Sequence, residues 1–194
     1  ALPQNMAVTS LHPAGALSST ANSVDDGVAV GETSYTHSQY GTLGRPALWN
    51  GLDAQGYLDL TPSNSVGGSG SKIRDDRIVG WWWWPYTVPQ HGTGYHRHAS
   101  LWESATGMHH EMQISGWEFG AITDTDGEVH AGGCRYDESS TNGDGYRWTG
   151  TSRAGRRLLA GSAWGTSATA VDNGHIFGSV HVGFGVVHAA RWDD

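Results

Sequence analysis

Glu118 lies in the sequence between two aromatic residues, Trp117 and Phe119. If these side chains shield the carboxyl group from water, its pKa rises and it could act as a general acid or base. The alternative is a loop carboxylate that faces solvent. Three further residues could share such proton transfer: His96, His98 and Tyr86. No nucleophile elbow, HExxH sequence or phosphate-binding loop accompanies these residues, so the sequence leaves open whether the protein is an enzyme.

Four consecutive tryptophans, Trp81–Trp84, form the most aromatic segment of the chain. Side chains alternate along a strand, so Trp81 and Trp83 face one way and Trp82 and Trp84 the other. We expect Trp81 and Trp82 to pack between sheets. Trp83 and Trp84 lie nearer the following loop and are candidates for ligand contact. Indole rings suit the C–H faces of sugars and flat apolar metabolites alike, so the residue type does not select the ligand.

The 11 histidines of the chain raise the question of a metal site. His96 and His98 could chelate from one side of a strand, and His109 and His110 are close to them in sequence. A tetrahedral zinc site needs three or four convergent ligands, and no spacing here is diagnostic of one. Solvated or hydrogen-bonded histidine is the alternative interpretation. We therefore predict no cofactor, although a metal ion could bind.

The composition excludes several classes of protein. The net charge of -8, with 11 Lys+Arg against 19 Asp+Glu, does not suit a phosphate-binding surface, so we predict no nucleic-acid partner. No apolar run is long enough to span a bilayer, so we predict no membrane partner. The single cysteine, Cys134, cannot form an internal disulfide. The 29 glycines, spread among short apolar segments, predict an all-β protein with many tight turns.

A repeat runs through the whole chain. Val24, Ile73, Ile122 and Val171 are each 49 residues apart, and each opens an acidic turn such as Val24-Asp25-Asp26-Gly27. A small-residue segment precedes each turn, and a second strand that ends in glycine follows it. A third short segment then ends in tryptophan in every copy: Trp49, Trp102, Trp148 and Trp192. A fourth apolar segment follows three of these tryptophans.

Four strands per unit at this period are typical of β-propeller blades. The fourth copy stops soon after Trp192, while residues 6–11 at the start of the chain are of the missing type. We therefore predict a single domain, residues 1–194, built as a four-bladed β-propeller whose ring is closed by the N-terminal strand. The predicted blades are residues 14–62, 63–111, 112–160, and 161–194 together with 1–13. A β-sandwich with coincidental spacing is the alternative.

The repeated sequence also resembles a known family. The pattern Ala-x-x-Val-Asp-Asp-Gly-x-x-Val-Gly, followed by a variable loop and Ala-Leu-Trp, is similar to the HAF-type extracellular repeat family; it runs from Ala21 to Trp49 in the first copy. The resemblance covers all four copies, most loosely the third. It implies a β repeat and export from the cell, and it implies no defined activity. A cytoplasmic location is the alternative, because the sequence has no visible signal peptide.

One face of the predicted ring carries the longer loops. With the strands of each blade lettered A to D in chain order, the B–C and D–A loops emerge on the same face, opposite the short acidic turns. Variable loops on a rigid scaffold are where binding sites usually lie. The candidate ligand-binding residues are the aromatic and histidine side chains of these loops and the adjoining strand ends: Tyr40, Trp83, Trp84, Tyr86, His91, Tyr95, Trp117, Phe119, Trp164, His181 and Phe184.

These residues support two principal hypotheses. The first is a lectin-like binding module for a carbohydrate or apolar small molecule, with tryptophans as stacking surfaces. The second is a cofactor-independent enzyme, such as a cyclase, isomerase or lyase, that acts on one apolar or polycyclic metabolite. Its catalytic candidates are Glu118, His91, His96, His98 and Tyr86. A protein-interaction module is a third possibility, and it predicts a large exposed aromatic patch.

Overall fold

A computed structural model describes residues 9–51, 53–88, 92–136, 143–158, 165–183 and 185–193. The regular structure in these ranges is β-strand, apart from one turn of 3-10 helix at Ala54–Gly56 that Asp53 caps. The all-β prediction is confirmed. In the same ranges, no helix is long and apolar enough to cross a membrane.

The strands follow the predicted repeat. Each unit is an antiparallel meander, and we call the units blades 1 to 4. Blade 1 contains β1 (Ser18–Asp25), β2 (Val28–His37), β3 (Gly41–Asn50) and β4 (Tyr57–Asp59). Blade 2 contains β5 (Gly68–Arg74), β6 (Arg77–Val88), β7 (Gly92–Glu103) and β8 (His109–Glu111). Blade 3 contains β9 (Phe119–Thr125), β10 (Val129–Arg135), β11 (Gly143–Thr149) and β12 (Arg156–Arg157). Blade 4 contains β13 (Gly165–Asp172), β14 (His175–Gly183) and β15 (Val186–Trp192).

The acidic segments form the first turn of each meander. Asp26 and Asn173 have φ values of 42° and 48°, and the glycines after them, Gly27 and Gly174, have φ values of 76° and 80°. Two successive residues with positive φ are the requirement of a two-residue type I′ hairpin, which Asp, Asn and Gly meet at the least steric cost. In blade 2 the same turn uses Asp75 and Asp76, both with positive φ. The sequence-based view of these aspartates as turn formers is confirmed.

Neighbouring blades pack face to face. We call the side of a blade that meets the preceding blade its leading face, and the opposite side its trailing face. Buried apolar residues fill the three interfaces within the chain. Between blades 1 and 2, the trailing face supplies Val30, Leu48 and Leu60, and the leading face supplies Ile73, Ile78 and Trp102. Hydrogen bonds also join neighbouring blades. The Nε1 atom of Trp102 donates to the main-chain oxygen of Leu60, and that of Trp148 donates to the main-chain oxygen of Met112.

The third repeat does not keep the register that the spacing suggests. Ile73 pairs with Ile78 in blade 2, but Ile122 pairs with Gly132, and Thr125 takes the position equivalent to Ile73 opposite His130. The turn of blade 3 has the same length as that of blade 2, because Thr125 and His130 are as far apart in sequence as Ile73 and Ile78. The extra residues lie before this turn, between Ile73 and Thr125. The equal spacing of Ile122 from its neighbours therefore does not mark an equivalent structural position, and that part of the prediction is wrong.

The two ends of the blade series carry exposed faces. Val24 on the leading face of blade 1 is 61% exposed, whereas the equivalent Ile73 and Val171 are 3% and 7% exposed. On the trailing face of blade 4, Phe177 is 38% exposed. The described strands form three separate sheets, so closure into a four-bladed ring is not confirmed. Of the predicted closing strand, residues 6–8 lie outside the described residues, while Leu11 packs against Trp49 and its neighbours in blade 1.

Candidate functional site

The hairpin of β6 and β7 positions most of the candidate residues. Its pairing continues without a bulge from Arg77 opposite Glu103 to Val88 opposite Gly92. Because directly paired residues share a face, Trp82 and Trp84 lie on the same side as His98 and His96, their respective partners. Trp81 and Trp83 lie on the other side, as the alternation predicts. The sequence thus collects aromatic rings and imidazoles on one face of a single hairpin.

Ring contacts hold this face together. Trp84 stacks on His98 with the ring planes 10° apart and the centroids 5.8 Å apart. Trp82 meets Trp84 edge to face at 5.3 Å, and Tyr86 lies 4.1 Å from His96. Trp82 is buried, whereas Trp84 is 38% and Tyr86 37% exposed. The prediction that Trp82 packs inside is therefore confirmed, and Trp84 and Tyr86 are available to a ligand.

His98 is paired with a carboxylate. Its Nδ1 lies 2.8 Å from Oε1 of Glu111, on the neighbouring strand β8. Burial lowers the pKa of His98, and this outweighs the opposing effect of Glu111, so the imidazole is neutral at pH 7. A neutral ring that donates Nδ1–H to the carboxylate keeps Nε2 as an acceptor. His98 can therefore accept a hydrogen bond or a proton through Nε2.

Glu118 is close to His96 and remains partly open to solvent. Oε2 of Glu118 lies 3.9 Å from Nε2 of His96, and its side chain is 40% exposed. The flanking Phe119 is buried, but it does not cover the carboxylate enough to remove it from water. Of the two interpretations of the sequence, the partly exposed side chain agrees with the carboxylate that faces solvent. Glu118 is instead a solvated carboxylate beside an imidazole, suited to hydrogen bonding.

A pocket of about 320 Å³ lies next to this group. We call it the Phe119 pocket. Phe119 connects the pocket to the hairpin, because its ring lies 6.1 Å from that of His96. The side chains on the wall that carry charge or an aromatic or imidazole ring are Arg97, Phe119, Arg135, Asp144 and His181. The remaining wall is mostly small residues of β9 and β13, so the pocket opens on the innermost strands of blades 3 and 4.

Asp144 and Arg135, two charged residues on the wall of the Phe119 pocket, differ in their hydrogen bonding. Asp144 is bonded to Arg157 at 2.7 Å, so its carboxylate is neutralised within blade 3. The guanidinium of Arg135 lies over the Phe119 ring at 5.9 Å. Its Nε is buried and has no hydrogen-bond partner among the described residues. Arg97 lies on the same wall, with its guanidinium 5.6 Å from the Trp81 ring. The pocket therefore offers positive charge beside an aromatic ring.

Comparison with solved structures places the fold among β-propellers. The β-propeller domain of the trilobed protease from Pyrococcus furiosus, which has an open velcro topology, matches with a TM-score of 0.50 at 16% identity. The match covers 84% of this chain and 49% of that chain. The chain is a β-propeller-like repeat protein. It spans about half the length of the propeller that it resembles.

Two further matches are more distant. An acylaminoacyl peptidase of Pyrococcus horikoshii matches at 10% identity with a TM-score of 0.39, over 90% of this chain and 44% of that one. An acylaminoacyl peptidase in complex with Z-Gly-Gly-Phe-chloromethyl ketone matches at 9% identity with a TM-score of 0.38, with the same coverage of 90% and 44%. No protein-family model matches the sequence. A search of curated proteins gives no significant match.

The other candidate residues fall into separate places. Tyr40 at the tip of blade 1 meets Tyr95 at 5.6 Å, and Tyr95 meets Trp83 at 6.1 Å, so these three form a second aromatic group. Trp117 packs against Tyr146 and the apolar core between blades 2 and 3. It is only partly buried there, and its role in ligand contact stays a prediction. Three candidates lie outside the described residues: His91, Trp164 and Phe184.

Sequence reasoning missed the charged members of the site. Arg97 and Arg135 come from different blades and meet at one pocket because β7 and β9 run parallel where Arg97 pairs with Phe119. No local pattern indicates that contact, although the alternation of His96, Arg97 and His98 signals two different faces. In the part of the chain that the structure describes, no three or more His, Cys, Asp or Glu side chains are arranged to hold a metal ion.

Proposed function

We propose that this chain is a lectin-like binding module whose ligand is an acidic carbohydrate, bound in the Phe119 pocket and along the exposed rings of Trp84 and Tyr86. One observation carries the proposal: an exposed aromatic surface adjoins a pocket whose wall holds guanidinium groups. Tyr86 contacts His96, and His96 contacts Phe119 in the pocket wall, so the surface and the pocket are continuous.

The chemistry of each part fits a sugar acid. Indole and phenol rings stack against the C–H faces of a pyranose, and Trp84 and Tyr86 offer such rings to solvent. His96 and Glu118 can exchange hydrogen bonds with hydroxyl groups. Arg135 has donors in a planar fork that matches a carboxylate. Because Asp144 is already bonded to Arg157, the pocket can accept a negative group without strong repulsion.

The test is binding to a glycan array that contains oligosaccharides of uronic acids beside their neutral counterparts, with and without divalent metal. We expect uronic-acid ligands to bind. In calorimetry, Trp84→Ala should weaken binding at least about tenfold, which corresponds to about 1.4 kcal/mol. Arg135→Gln should remove the preference for the acidic ligand over the neutral one.

A matched control is Leu58→Ala. Leu58 is also an exposed apolar residue, but it lies on the outer strand of blade 1. This variant should bind like the unaltered chain. A blank array with folded protein, or equal binding by Trp84→Ala, would refute the carbohydrate proposal.

A cofactor-independent enzyme is the second candidate, and the pair of His98 and Glu111 supports it. A neutral imidazole held by a carboxylate, with Nε2 as acceptor, is the arrangement of a general base. The test is a search for apolar metabolites that quench tryptophan fluorescence, followed by product analysis. Loss of turnover with retained binding in His98→Gln would support this role. Unchanged turnover in Glu118→Gln would remove Glu118 from the mechanism.

A further inference from the structure

The exposed faces at the two ends of the blade series carry the same residue pattern as the two faces that meet at the interfaces inside the chain. Each of the three interfaces inside the chain buries an apolar residue just before the repeat glycine of the second strand: Val30 before Gly31, Val79 before Gly80, and Ala131 before Gly132. Phe177 holds this position in blade 4, before Gly178, and it is exposed. Val24, at the position of the buried Ile73, is exposed on the opposite end. An apolar residue at each end thus lacks the neighbour that its equivalents have.

A polar contact also recurs at these interfaces: a side chain of the first strand donates a hydrogen bond to a main-chain oxygen of the next blade. Asn22 donates to the main-chain oxygen of Gly70 at 2.7 Å, and Thr123 donates to that of Ala168 at 3.3 Å. Thr169 holds the equivalent position in blade 4 and is exposed. It would reach the oxygen of Ala21 on a blade 1 packed against it.

The turns at one end of the strands repeat a second polar contact. The carboxylate of Asp25 accepts from the main-chain N–H of Asp75 at 2.9 Å, and that of Asp126 accepts from Gly174 at 2.7 Å. Asp172 holds the equivalent position in blade 4 and is exposed. The trailing face of blade 4 therefore carries the apolar residue, the hydroxyl donor and the carboxylate acceptor that a following blade requires.

The exposed surface of blade 1 also has the right extent for a blade of three strands, which is what blade 4 presents. Blade 4 presents three described strands, β13 to β15. On blade 1, Leu11 packs against Trp49, as Leu60, directly after the fourth strand of blade 1, packs against Trp102 in blade 2. The part of the blade 1 surface that a fourth strand would cover is thus already occupied. What remains exposed around Val24 is the part that three strands would cover.

We infer that two copies of this chain associate head to tail, with the trailing face of blade 4 of each copy packed against the leading face of blade 1 of the other. Two such contacts are equivalent and would close one ring of eight blades. The length of the resembling propeller agrees with this arrangement, because the present chain matches 49% of it.

The first measurement is the mass of the purified 194-residue chain by light scattering during gel filtration, over a wide range of concentrations. We expect twice the chain mass of 20.7 kDa. Val24→Asp and Phe177→Asp should each shift the mass to that of one chain, because each places a carboxylate in an apolar contact. Both positions are exposed within one chain, so neither change should prevent folding, and circular dichroism verifies this.

The matched control is Val182→Asp. Val182 is an exposed apolar residue of the same strand as Phe177, but it lies five residues further along, at the irregularity near the end of β14. This variant should keep the doubled mass. A result in which Val182→Asp dissociates the pair while Phe177→Asp does not would overturn the inference.

Mixing the two disruptive variants tests the head-to-tail geometry itself. A pair made of one Val24→Asp chain and one Phe177→Asp chain has both substitutions in one contact and none in the other. We therefore expect an equimolar mixture to regain the doubled mass, although each variant alone does not. A folded chain that stays at single mass at all concentrations would overturn the inference. So would a dimer that neither substitution affects, since a different surface would then hold it.

This inference does not depend on the proposed carbohydrate site. The Phe119 pocket is lined by residues of blades 2, 3 and 4 and shares Thr169 with the inferred contact, but neither Val24 nor Phe177 lies on its wall. Val24→Asp should therefore leave the binding of a glycan that passes the array test unchanged. Failure of one proposal leaves the other intact.

Discussion

The indole Nε1 of Trp102 donates a 3.0 Å hydrogen bond to the main-chain oxygen of Leu60, across the interface between blades 2 and 1. Trp148 makes the same bond to Met112, between blades 3 and 2. The repeat tryptophans of blades 2 and 3 thus each link their blade to the outer segment of the one before it. Trp49, at the same position in blade 1, is buried, but its Nε1 has no hydrogen-bond partner among the described residues.

This difference predicts unequal effects of one substitution. Trp102→Phe should lower the free energy of unfolding by about 1–3 kcal/mol, because it shrinks a buried ring and leaves the oxygen of Leu60 without its donor. Trp49→Phe should cost less, because it removes a buried N–H that has no described partner. Urea unfolding followed by circular dichroism measures both. Equal losses, or a larger loss for Trp49→Phe, would show that the hydrogen bond contributes nothing measurable.

Much of the fold could be predicted from the sequence, because the residues that define the repeat determine the structure of the backbone close to them. The acidic turns and the tryptophan-terminated strands each have a physical cause within a few residues, so a pattern search finds them. The register of blade 3 could not be predicted. Extra residues between Ile73 and Thr125 move Thr125 into the position of Ile73, and equal spacing of Ile122 conceals that shift. Spacing along the chain and pairing across the sheet are different quantities.

The candidate site was predicted in part. Trp84 and Tyr86 are exposed on one hairpin, as the aromatic run and the loop-end position suggested. Arg135 was missed because its approach to Phe119 depends on how blade 3 is set beside blade 2, which is a long-range property. Closure of the ring likewise depends on long-range contacts between blades. The sequence shows that the two ends are complementary, but not whether they meet within one chain or between two.

The repeat glycine of the second strand predicts a steric effect. A Cβ added at Gly80 would collide with the main-chain oxygen of Ser69 on the adjacent strand. Gly80→Ala should therefore lower the free energy of unfolding by about 1–3 kcal/mol, because main-chain atoms must move to make room. Chemical denaturation provides the measurement. Gly183→Ala is the control, since a Cβ there meets nothing within 4 Å; similar losses for the two variants would refute the steric explanation.

Cys134 should be unreactive while the protein is folded. The thiol is buried in the apolar core between blades 2 and 3, and burial raises its pKa to about 12. The thiolate is the reactive form, so almost none is present at pH 8. A colorimetric thiol reagent should label one site per chain in denaturant and almost none in buffer. Rapid stoichiometric labelling of the folded chain would mean that this core opens readily.

His109 predicts a loss of stability in mild acid. Burial lowers the pKa of this imidazole from 6.5 to about 4. Between these values the unfolded chain binds a proton that the folded chain does not, so acid favours unfolding. The stabilising contribution is complete above pH 6.5 and is lost as the pH falls towards 4. After allowance for partial exposure, it amounts to roughly 2 kcal/mol.

Urea unfolding at several pH values between 7 and 4.5 measures this slope. His109→Asn should flatten it, although the variant also starts from a lower stability because packing against Trp82 and Trp102 changes. The slope, not the absolute stability, is therefore the readout. His188→Asn, at an exposed position of β15, should leave the slope as it is. If His109→Asn keeps the full slope, the acid sensitivity arises from other groups, of which His98 and His130 are the next to test, because burial lowers the pKa of both.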